Sequence, residues 1–466
     1  MKIYNSLTKR KEEFEPIEAG KVKMYACGIT VSGEAHIGHA YQALIYDIMR
    51  KYLQKLGYRV TYARNYTDVD DKIIAKSRET GIPADVYAAE MIGKIDEVMR
   101  KFRVDDPDVW LKATENIGNI ISFIAELIEK GHAYATKKGD VYFDVDTYPA
   151  YGHLSNRNIE DALDGVRVDN DDEKKNAYDF ALWKSAKEGE ICWDSPWGKG
   201  RPGWHIECSA MNWRYLGDTI DIHCGGQDLI FPHHENEIAQ SECFTGKPFA
   251  HYWMHNGYIN VDNVKMSKSL GNFFTVRDVA EKYGYEPIRY LLISAQYRSP
   301  INYSTDIIEQ CIAALNRLYT CRDSLDFELK NAADAEHDGD KAIIDGFDKY
   351  REQFIAAMDD DLNTADAIAS IFELVRDINT NVVGKTPSKA LVEGAIAMFD
   401  ELTGVLGLVY NRKTETLDSD VEALIEARTN ARKEKNWAEA DRIRDQLKEM
   451  GIVLEDTAQG VKWHRE

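Results

Sequence analysis

Two kinds of hydrophobic pattern follow each other in the N-terminal part of the chain. An apolar run from Val22 to Thr30 predicts a buried strand, and apolar residues at helical spacing follow it from Ala43 to Leu53. A second run from Tyr58 to Tyr66 predicts the next strand, and Thr67 to Asp71 opens another helix. Strand, helix and strand in this order predict the βαβ unit of a parallel sheet.

The spacing of apolar positions changes between residues 114 and 202. A helix is predicted from Ile117 to Lys130, and short strand-like pieces follow it at Tyr134–Ala135 and from Val141 to Phe143. The α/β pattern returns with an apolar strand from Thr219 to His223. We therefore interpret the intervening region as an insertion within the α/β domain.

The last third of the chain has the pattern of helices. After about Ser304, apolar residues such as Ile308 and Leu315 recur at helical spacing, which predicts a bundle. A polar linker from Arg412 to Asp420 leads to a helical unit from Val421 to Met450 and a closing β-hairpin. The predicted fold is an α/β, Rossmann-like parallel-sheet domain with a connective insertion, then an all-α helical bundle and a small C-terminal unit.

Composition narrows the class of protein. A chain of 466 residues exceeds the roughly 250 to 300 residues at which single cores stop growing, so several domains are expected. The N-terminus lacks a secretory signal and no apolar run approaches the ~20 residues that span a bilayer, so we expect a cytoplasmic protein without a membrane partner.

The seven cysteines are odd in number and scattered, which argues against a disulfide framework. The net charge of −21 argues against a general nucleic-acid binder but allows RNA contacts at one basic face.

A histidine pair marks the junction of the first predicted strand and helix. His36 and His39 flank Ile37 and Gly38, where the N–H groups of a helix N-terminus favour phosphate. Two imidazoles there could stabilise the charge that develops on a phosphate during displacement, and Gly38 would let a nucleotide approach the backbone. The alternative is a pair of histidines that only pack at a helix start.

A second motif is cationic and reads Lys-Met-Ser-Lys-Ser from Lys265 to Ser269. Its lysines, Lys265 and Lys268, suit a flexible loop that binds triphosphate, because nucleotidyl transfer relies on positioning and charge neutralisation. The alternative is a solvated basic turn. Neither a Walker-type glycine loop nor a GxGxxG sequence is present.

A third set of residues has the chemistry of a zinc site, with two thiolates, an imidazole and a carboxylate. The candidate ligands are Cys27, Cys208, His233 and Glu237. The histidine and the glutamate are spaced i, i+4, so they share one helix face. His234 and Glu235 are alternative ligands, and a cysteine at a strand end is often only a small buried hydrophobe.

The histidine pair followed by the lysine motif on an α/β scaffold resembles the signature of class I aminoacyl-tRNA synthetases. Over essentially its whole length the sequence is similar to the cysteinyl-tRNA synthetase family. The segments that carry this resemblance are Met24 to Gly28, Thr67 to Ile74, Asp179 to Lys184, Trp204 to Met211, Gly225 to Glu237, Leu270 to Asn272, Ala357 to Ala365 and Ala427 to Met450.

The resemblance implies one zinc ion per chain at the bottom of the amino-acid pocket, held by the four candidate ligands and bound to the substrate thiolate. A soft metal prefers thiolate to hydroxyl, whereas a hydrophobic pocket separates such substrates by only ~1–3 kcal/mol. The resemblance also implies pocket residues by position. Those that would surround the substrate are Thr67, Trp204, His205 and His223, while Asp228 would hold the ammonium group.

The implied reaction is attack of the cysteine carboxylate on the α-phosphate of Mg²⁺·ATP, followed by transfer of the cysteinyl group to the 2′-hydroxyl at the 3′ end of cysteine tRNA. The residues that would stabilise the displacement are His36, His39, Lys265 and Lys268. The expected partners are ATP, L-cysteine and cysteine tRNA, and the expected state is a monomer. Arg428 and Trp437 in the C-terminal unit combine cation and aromatic as unstacked RNA bases require, although a charge-laced solvated helix is the alternative.

Two other functions compete with this one. A related ligase of the mycothiol pathway uses cysteinyl-adenylate to acylate a small amine, but it lacks the anticodon-binding bundle that the C-terminal third would form. A zinc-bearing binding protein without catalysis is the non-enzymatic alternative. The presence of both signature motifs argues against it.

The resemblance also assigns the predicted domains. They are residues 1–113, the first half of the Rossmann catalytic domain; 114–202, the connective insertion; 203–250, the second half of the catalytic domain; 251–304, the lysine-loop junction; 305–411, the helical-bundle anticodon-binding domain; and 412–466, the C-terminal anticodon-recognition unit.

Several positions depart from the family pattern. Ile29 stands where proline is usual, Ser32 where tyrosine is common, Tyr41 where arginine is usual and Gln296 where histidine is usual. None of them removes a candidate zinc ligand or a signature motif. Because three lie near the expected nucleotide or acceptor-end surfaces, a specialised copy with altered efficiency is an alternative to the main enzyme.

Overall fold

The computed structural model describes residues 1–157, 173–266, 274–335, 337–412, 419–450, 452–457 and 460–465. The chain forms two compact units. The first contains Met1–Cys311 and Ala357–Ala365, and the second contains Ile312–Ala356 and Asp366–Glu466. This division is coarser than the six predicted domains, whose boundaries stay predictions.

The first unit contains both helices and strands. In chain order its described strands are β1 (Lys2–Asn5), β2 (Arg10–Glu13), β3 (Lys21–Thr30), β4 (Arg59–Thr67), β5 (Val109–Lys112), β6 (Ala133–Ala135), β7 (Val141–Phe143), β8 (Phe180–Ser185), β9 (Gly200–Pro202), β10 (Ile220–Gly226), β11 (Ala250–Asn256), β12 (Ile259–Val261), β13 (Val264–Lys265) and β14 (Ile301–Tyr303). Its helices are α1 (Ile37–Lys55), α2 (Asp71–Thr80), α3 (Ala84–Lys101), α4 (Ile117–Glu129), α5 (Trp204–Leu216), α6 (Glu235–Thr245), α7 (Val276–Tyr283) and α8 (Tyr285–Ile293).

A five-stranded parallel sheet, in the order β11-β10-β3-β4-β5, is the centre of this unit. All residues of β10 are buried, as expected for a parallel strand that is covered on both faces and therefore reads as an apolar run. The predicted strands at 22–30, 58–66 and 219–223 are confirmed with small shifts of their ends. The N-terminal hairpin of β1 and β2 was not predicted, because its second strand is the charged sequence Arg-Lys-Glu-Glu.

The strand order places a topological switch point between β3 and β10. From β3 the chain continues to β4 and β5 on one side, and it later adds β10 and β11 on the other. In such sheets the crevice outside the carboxyl ends of the two central strands is where ligands bind. The end of β3 carries Cys27 and Gly28, and the end of β10 carries Gly225 and Gly226.

The insertion forms its own antiparallel sheet, in the order β6-β7-β8-β9. Its core contains Phe123 of α4, Phe143 of β7 and Trp183 of β8, and it also includes Ile206 of α5. The predicted pieces at 134–135 and 141–143 are confirmed as β6 and β7. Helix α5 begins directly after this sheet. It packs against the core of the insertion on one side and against the core of the parallel sheet on the other.

The second unit is helical up to its last residues. Helices α9 (Thr305–Asn331), α11 (Asp348–Asp359) and α12 (Thr364–Asn381) extend across the boundaries of the two units, and the others are α10 (Asp340–Gly346), α13 (Lys389–Leu406), α14 (Ser419–Lys433) and α15 (Trp437–Glu449). A hairpin of β15 (Ile452–Thr457) and β16 (Gly460–Arg465) follows. The bundle and the hairpin were predicted correctly, while the helical stretch 421–450 is two helices with a turn between them. Among the described residues, no helix combines the length and the apolarity that a membrane span needs.

Candidate active site

A cleft of about 450 Å³ opens at the switch point. Gly28 and Thr30 of β3 line one side, and Gly226, which ends β10, lines the other together with Asp228. Gly28 is required by the close approach of β4, since a Cβ atom at this position would lie 1.4 Å from the carbonyl oxygen of Asn65. The cleft therefore lies where the sheet topology directs a ligand.

The histidine pair lies at the N-terminus of α1, in the wall of this cleft. Nδ1 of His36 accepts from the backbone N–H of His39 at 3.3 Å, and Nδ1 of His39 accepts from the N–H of His36 at 3.4 Å. The two rings stack with their centres 3.5 Å apart. A Cβ at Gly38 would lie 3.0 Å from the ring of His36, so this glycine also makes room for the imidazole. Both histidines cap the helix and face the cleft, so the packing role and the ligand role are compatible.

Two thiols, an imidazole and a carboxylate meet behind the cleft wall. The Sγ atoms of Cys27 and Cys208 are 3.8 Å apart, and Oε1 of Glu237 lies 3.2 Å from Sγ of Cys27. Nε2 of His233 lies 2.9 Å from the same carboxylate oxygen. All four side chains are buried, and their ligand atoms lie within 4.8 Å of one another. The structure thus brings together the four residues that the sequence singled out, from β3, α5, the turn before α6 and α6 itself, and the cluster could bind a metal ion.

A second set of ligand atoms overlaps with the first. It combines Cys27 and Glu237 with His223 and His234, again within 4.8 Å. Nε2 of His223 lies 3.6 Å from Sγ of Cys27 and 3.1 Å from Oε2 of Glu237. The alternative ligand Glu235 is instead engaged with backbone, since its carboxylate accepts from the N–H groups of Gly152 and Ser155 at 2.9 Å each. His234 therefore remains an alternative, and Glu235 serves the fold.

The buried cluster shifts the acidities of its own members. A hydrogen bond from Cys27 lowers the pKa of Cys208 to about 6, whereas burial and the hydrogen bond to Cys208 raise the pKa of Cys27 well above its usual value. Burial opposes a charge on His233, but Glu237 and Cys208 outweigh it and raise the pKa of His233 to about 10. Burial likewise opposes ionisation of Glu237, but His223 and His233 hold its pKa well below the usual range. A thiolate and a carboxylate are therefore available for a cation near neutral pH.

Trp204 and His205 extend the cluster toward the insertion. The ring of Trp204 stacks on that of His233 with centres 4.3 Å apart, and Nδ1 of His205 lies 2.9 Å from Nδ1 of His233. Burial and the neighbouring His233 lower the pKa of His205 well below its usual value, so its neutral ring can accept a hydrogen bond from the Nδ1–H of His233. His205 thereby orients the other nitrogen of His233 toward the cluster, as partners of metal-binding histidines do.

Of the other predicted pocket residues, some line the cleft and others are buried behind its wall. Asp228 lines the cleft, and Lys265 lines it too, with its ammonium 4.0 Å from the ring centre of Tyr258. Thr67 is buried and donates to the carboxylate of Glu207 at 2.9 Å, and His223 is buried beside Cys27, so both lie behind the wall. Lys268 and the other residues from 267 to 273 lie outside the described residues.

Two buried residues of this region were not predicted. Nε2 of His255, at the end of β11, lies 2.8 Å from Nδ1 of His234, and its Nδ1 lies 2.8 Å from the hydroxyl of Ser6. Burial raises the pKa of Glu207, next to Cys208, well above its usual value. The position of His255 at the carboxyl end of a parallel strand is the signal that could have revealed it.

Comparison with known proteins finds relatives over the whole length of the chain. Residues 13–313 match the family described as tRNA synthetases class I (C) catalytic domain, residues 353–410 the DALR domain, and residues 414–463 the cysteinyl-tRNA ligase anticodon binding domain. The chain is 52% identical to a cysteine–tRNA ligase of Clostridioides difficile over 466 residues, which is 100% of both chains. It is 51% identical to a cysteine–tRNA ligase of Symbiobacterium thermophilum, over 100% of this chain and 99% of that one.

The chain belongs to the cysteine–tRNA ligase family.

Solved structures show the same fold at low identity. A Mycobacterium tuberculosis methionyl-tRNA synthetase in complex with methionyl-adenylate matches with a TM-score of 0.61 and 14% identity, over 83% of this chain and 89% of that one. A leucyl enzyme, the Agrobacterium radiobacter K84 agnB2 LeuRS with tRNA and LeuAMS, matches with a TM-score of 0.59 and 12% identity, over 85% and 86%. The predicted class I synthetase fold is therefore confirmed.

Membership of the family also decides between the predicted functions. The matches to the DALR and anticodon-binding domains extend to residue 463, through the region that a small-amine ligase of the mycothiol pathway lacks. The full-length identities of about half favour a ligase that acts on tRNA. The prediction of a class I aminoacyl-tRNA synthetase of the cysteine branch is thus confirmed.

The departures from the family pattern are accommodated within the fold. Ile29 is buried in β3. The backbone oxygen of Ser32 accepts from the hydroxyl of Tyr87 at 3.2 Å. Tyr41 donates to the backbone oxygen of Tyr297 at 2.7 Å, and Gln296 donates to the backbone oxygen of Asp361 at 2.9 Å. None of these four side chains disrupts the buried cluster.

Proposed function

We propose that the chain activates L-cysteine with ATP and transfers the cysteinyl group to the 3′ end of cysteine tRNA, and that it does so in the cytoplasm as a monomer. The observation that carries this proposal is the convergence of Cys27, Cys208, His233 and Glu237 directly behind a cleft that His36 and His39 line. A thiolate-selective centre next to a phosphate-binding helix terminus fits the activation of a sulfur-bearing amino acid with a nucleotide.

Zinc is the metal that we propose for the buried cluster. A tetrahedral ion with Zn–S bonds of about 2.3 Å holds two thiolates about 3.8 Å apart. The Sγ atoms of Cys27 and Cys208 are 3.8 Å apart, which supports this assignment. Bound zinc would supply a soft ligand position for the thiolate of the substrate, which a serine hydroxyl does not match.

The donor atoms favour one of the two overlapping ligand sets. The set with Cys208 and His233 offers two sulfurs, whereas the set with His223 and His234 offers one. Nδ1 of His234 also lies 2.8 Å from Nε2 of His255, which fixes its ring in a chain of histidines. Since zinc sites of this kind prefer thiolate, we propose Cys27, Cys208, His233 and Glu237 as the ligands and His223 as a wall of the substrate pocket.

In the activation step, a carboxylate oxygen of cysteine attacks the α-phosphorus of ATP. The bond from that phosphorus to the bridging oxygen of the β-phosphate breaks, and pyrophosphate leaves with Mg²⁺. We assign stabilisation of the displaced charge to His36, His39, Lys265 and Lys268, with Gly38 at the helix terminus that the nucleotide approaches. Lys268 is assigned by its position in the lysine motif and would also bind the ATP phosphates.

The amino acid needs its own contacts. We assign Asp228, which lines the cleft, to the ammonium group of cysteine. Trp204 and His205 pack against the ligand His233, and Thr67 lies beside Glu207, so these residues would shape the pocket around the substrate. In the second step a ribose hydroxyl of the terminal adenosine attacks the acyl carbon and AMP leaves.

The C-terminal part would bind the tRNA. Residues 353–410 and 414–463 match the DALR and anticodon-binding domains, which supports this assignment. Trp437 at the start of α15 is 58% exposed, so its ring is accessible to an unstacked base. We retain the six predicted domains, from the two halves of the catalytic domain to the anticodon-recognition unit, as part of the proposal.

Cysteine-dependent exchange of pyrophosphate into ATP tests the first step, and charging of cysteine tRNA tests the second. We expect both activities, with strong discrimination against serine, and we expect exchange to be lost after treatment with a strong zinc chelator and restored by zinc. Exchange without charging would point to the small-amine ligase. Full, cysteine-selective exchange by metal-free protein would contradict the proposed zinc site.

A further inference from the structure

A buried carboxylate that is not part of the metal cluster lies at a turn of the first unit. Asp361 is 1% exposed and belongs to the segment Ala357–Ala365. Its Oδ1 accepts from the backbone N–H of Tyr4 at 2.8 Å and from the hydroxyl of Tyr297 at 2.9 Å. Its Oδ2 accepts from Nε of Arg298 at 2.8 Å and from Nε2 of Gln296 at 3.1 Å. One carboxylate thus binds three consecutive side chains of the segment 296–298.

This arrangement is locally unfavourable for the backbone. Asp361 has a φ of +64° and the next residue, Leu362, a φ of +53°, both in the left-handed region that side chains with a Cβ rarely adopt. Such a conformation persists where the surroundings enforce it, and here several hydrogen bonds to the carboxylate do so. Tertiary contacts, rather than the local conformational preference of Asp361 and Leu362, therefore explain the positive φ angles at this turn.

Residues 296–299 form a second turn, which the carboxylate of Asp361 binds and which contacts two walls of the cleft. The backbone oxygen of Tyr297 accepts from the N–H of Gly257 at 2.8 Å, and that of Arg298 accepts from Nε2 of Gln227 at 3.0 Å. Gly257 lines the cleft, and Gln227 precedes Asp228, which lines it from the other side. The contact at Gly257 is close, since a Cβ there would lie 2.3 Å from the backbone oxygen of Ser299. A shift of the turn by a few tenths of an ångström would therefore be passed to both walls.

We propose that Asp361 is a positioning residue for cysteine activation, which rests on the proposed function. Its carboxylate fixes residues 296–299, and this turn holds Gly257 and Gln227 so that the cleft has the correct width for ATP and the amino acid. The metal cluster lies on other elements, namely β3, α5, the turn before α6 and α6 itself. The two sites are thus separable by experiment.

The test is the variant Asp361→Asn in full-length protein loaded with zinc. The amide keeps the shape but loses the charge and one acceptor, so the donors at 296–298 cannot all be satisfied. We expect KM for ATP and for cysteine in pyrophosphate exchange to rise about tenfold, because misplaced walls weaken binding and orientation. Zinc affinity, measured by chelator competition, should stay within about twofold of the wild type because no ligand moves.

The neighbouring Asp360 provides the matched control. Its carboxylate is about half exposed and binds the ammonium of Lys11 at 2.8 Å. Asp360→Asn should leave both KM values and the zinc affinity unchanged. If Asp361→Asn does not fold, Gln296→Ala removes the amide that donates to Asp361 and accepts from the N–H of Arg298 at 2.8 Å. It leaves the carboxylate in place and should raise both KM values in the same direction by a smaller factor.

Tyr41 reaches the same turn from α1, where its hydroxyl donates to the backbone oxygen of Tyr297 at 2.7 Å. Tyr41→Phe should raise KM for ATP a few-fold, and the double variant with Asp361→Asn should show less than the product of the two effects, because both act through one turn. Unchanged KM values in a folded Asp361→Asn protein, or a parallel loss of zinc affinity, would overturn the positioning role. Absence of exchange in the wild type would instead refute the proposed function.

Discussion

The protonation states of individual residues in the buried cluster control how its affinity for a metal depends on pH. Cys27 has a pKa raised by burial and by its hydrogen bond to Cys208, whose own pKa is lowered to about 6 by the same bond. Without a metal, the pair therefore shares one proton at neutral pH. An ion that binds both sulfurs as thiolates must release this proton, and it must also release the extra proton that the raised pKa of His233, about 10, keeps on that ring. Metal affinity should therefore rise with pH by about tenfold per unit for each of these two protons.

Replacement of one sulfur tests the ligand set. Cys208→Ser should lower zinc affinity by more than the 10- to 100-fold typical for loss of a residue that only orients a ligand, because a hydroxyl is a poor zinc ligand. Zinc affinity measured by chelator competition between about pH 6 and 8 would check both the loss and the pH slope. Cys192→Ser changes a half-buried cysteine outside the cluster and should leave zinc affinity unchanged. Normal zinc binding by Cys208→Ser would favour the set with His223 and His234.

At the scale of secondary-structure elements, the site depends on how closely β3 and β4 approach. The register of this strand pair shifts between Ala26 and Ile29, and the backbone N–H of Gly28 donates to the side chain of Asn65 at 2.8 Å within the irregularity. Within this irregular stretch, the side chain of Cys27 contacts Cys208 of α5, and Gly28 lines the cleft. The sequence predicted the strand and the cysteine at its end, but not this irregularity, which arises from pairing with a strand more than thirty residues later.

Gly28→Ala should disrupt this pair of strands. A methyl group 1.4 Å from the backbone oxygen of Asn65 cannot be accommodated without separating β3 from β4. We expect failure to fold, or a free energy of unfolding lowered by several kcal/mol, measured by denaturant unfolding. Gly93→Ala is the matched control, since Gly93 is exposed within α3 and a Cβ there meets nothing within 4 Å. It should raise the stability by about 0.5–1 kcal/mol, so a loss with both variants would contradict the argument.

At the scale of the whole molecule, the proposed function assigns activation of the amino acid and binding of the tRNA to different parts of the chain. The cleft and the metal cluster lie in the first unit, which includes Met1–Cys311. The helices α14 and α15 and the closing hairpin form a separate small core around Val421, Ile443, Leu447 and Ile452. With this assignment, a variant in one part should impair one step of the reaction and leave the other intact.

Trp437→Ala tests this separation. Loss of one stacking platform should cost about 1–3 kcal/mol, so we expect kcat/KM for tRNA in charging to fall about tenfold while pyrophosphate exchange stays unchanged. Tyr215→Ala is the control, because this aromatic residue is 49% exposed at the end of α5 in the other unit. An equal loss of charging with both variants, or none with Trp437→Ala, would contradict the assignment of this surface to RNA.

The sequence by itself determined the class of fold and the chemistry of the site. Periodicity identified the strands of the parallel sheet and the helices of the bundle, because buried parallel strands and amphipathic helices each have a characteristic spacing of apolar residues. Residue type marked candidate metal ligands, because few side chains bind soft metals, but it left His234 and Glu235 open as alternatives. The resemblance to the family selected the set of Cys27, Cys208, His233 and Glu237. Only the tertiary structure decided that these residues meet, since 181 positions separate the two cysteines in the chain. It also placed Asp361 and His255 in the same unit as the cleft. Their hydrogen bonds join segments that are distant in the sequence, and no local pattern encodes such contacts.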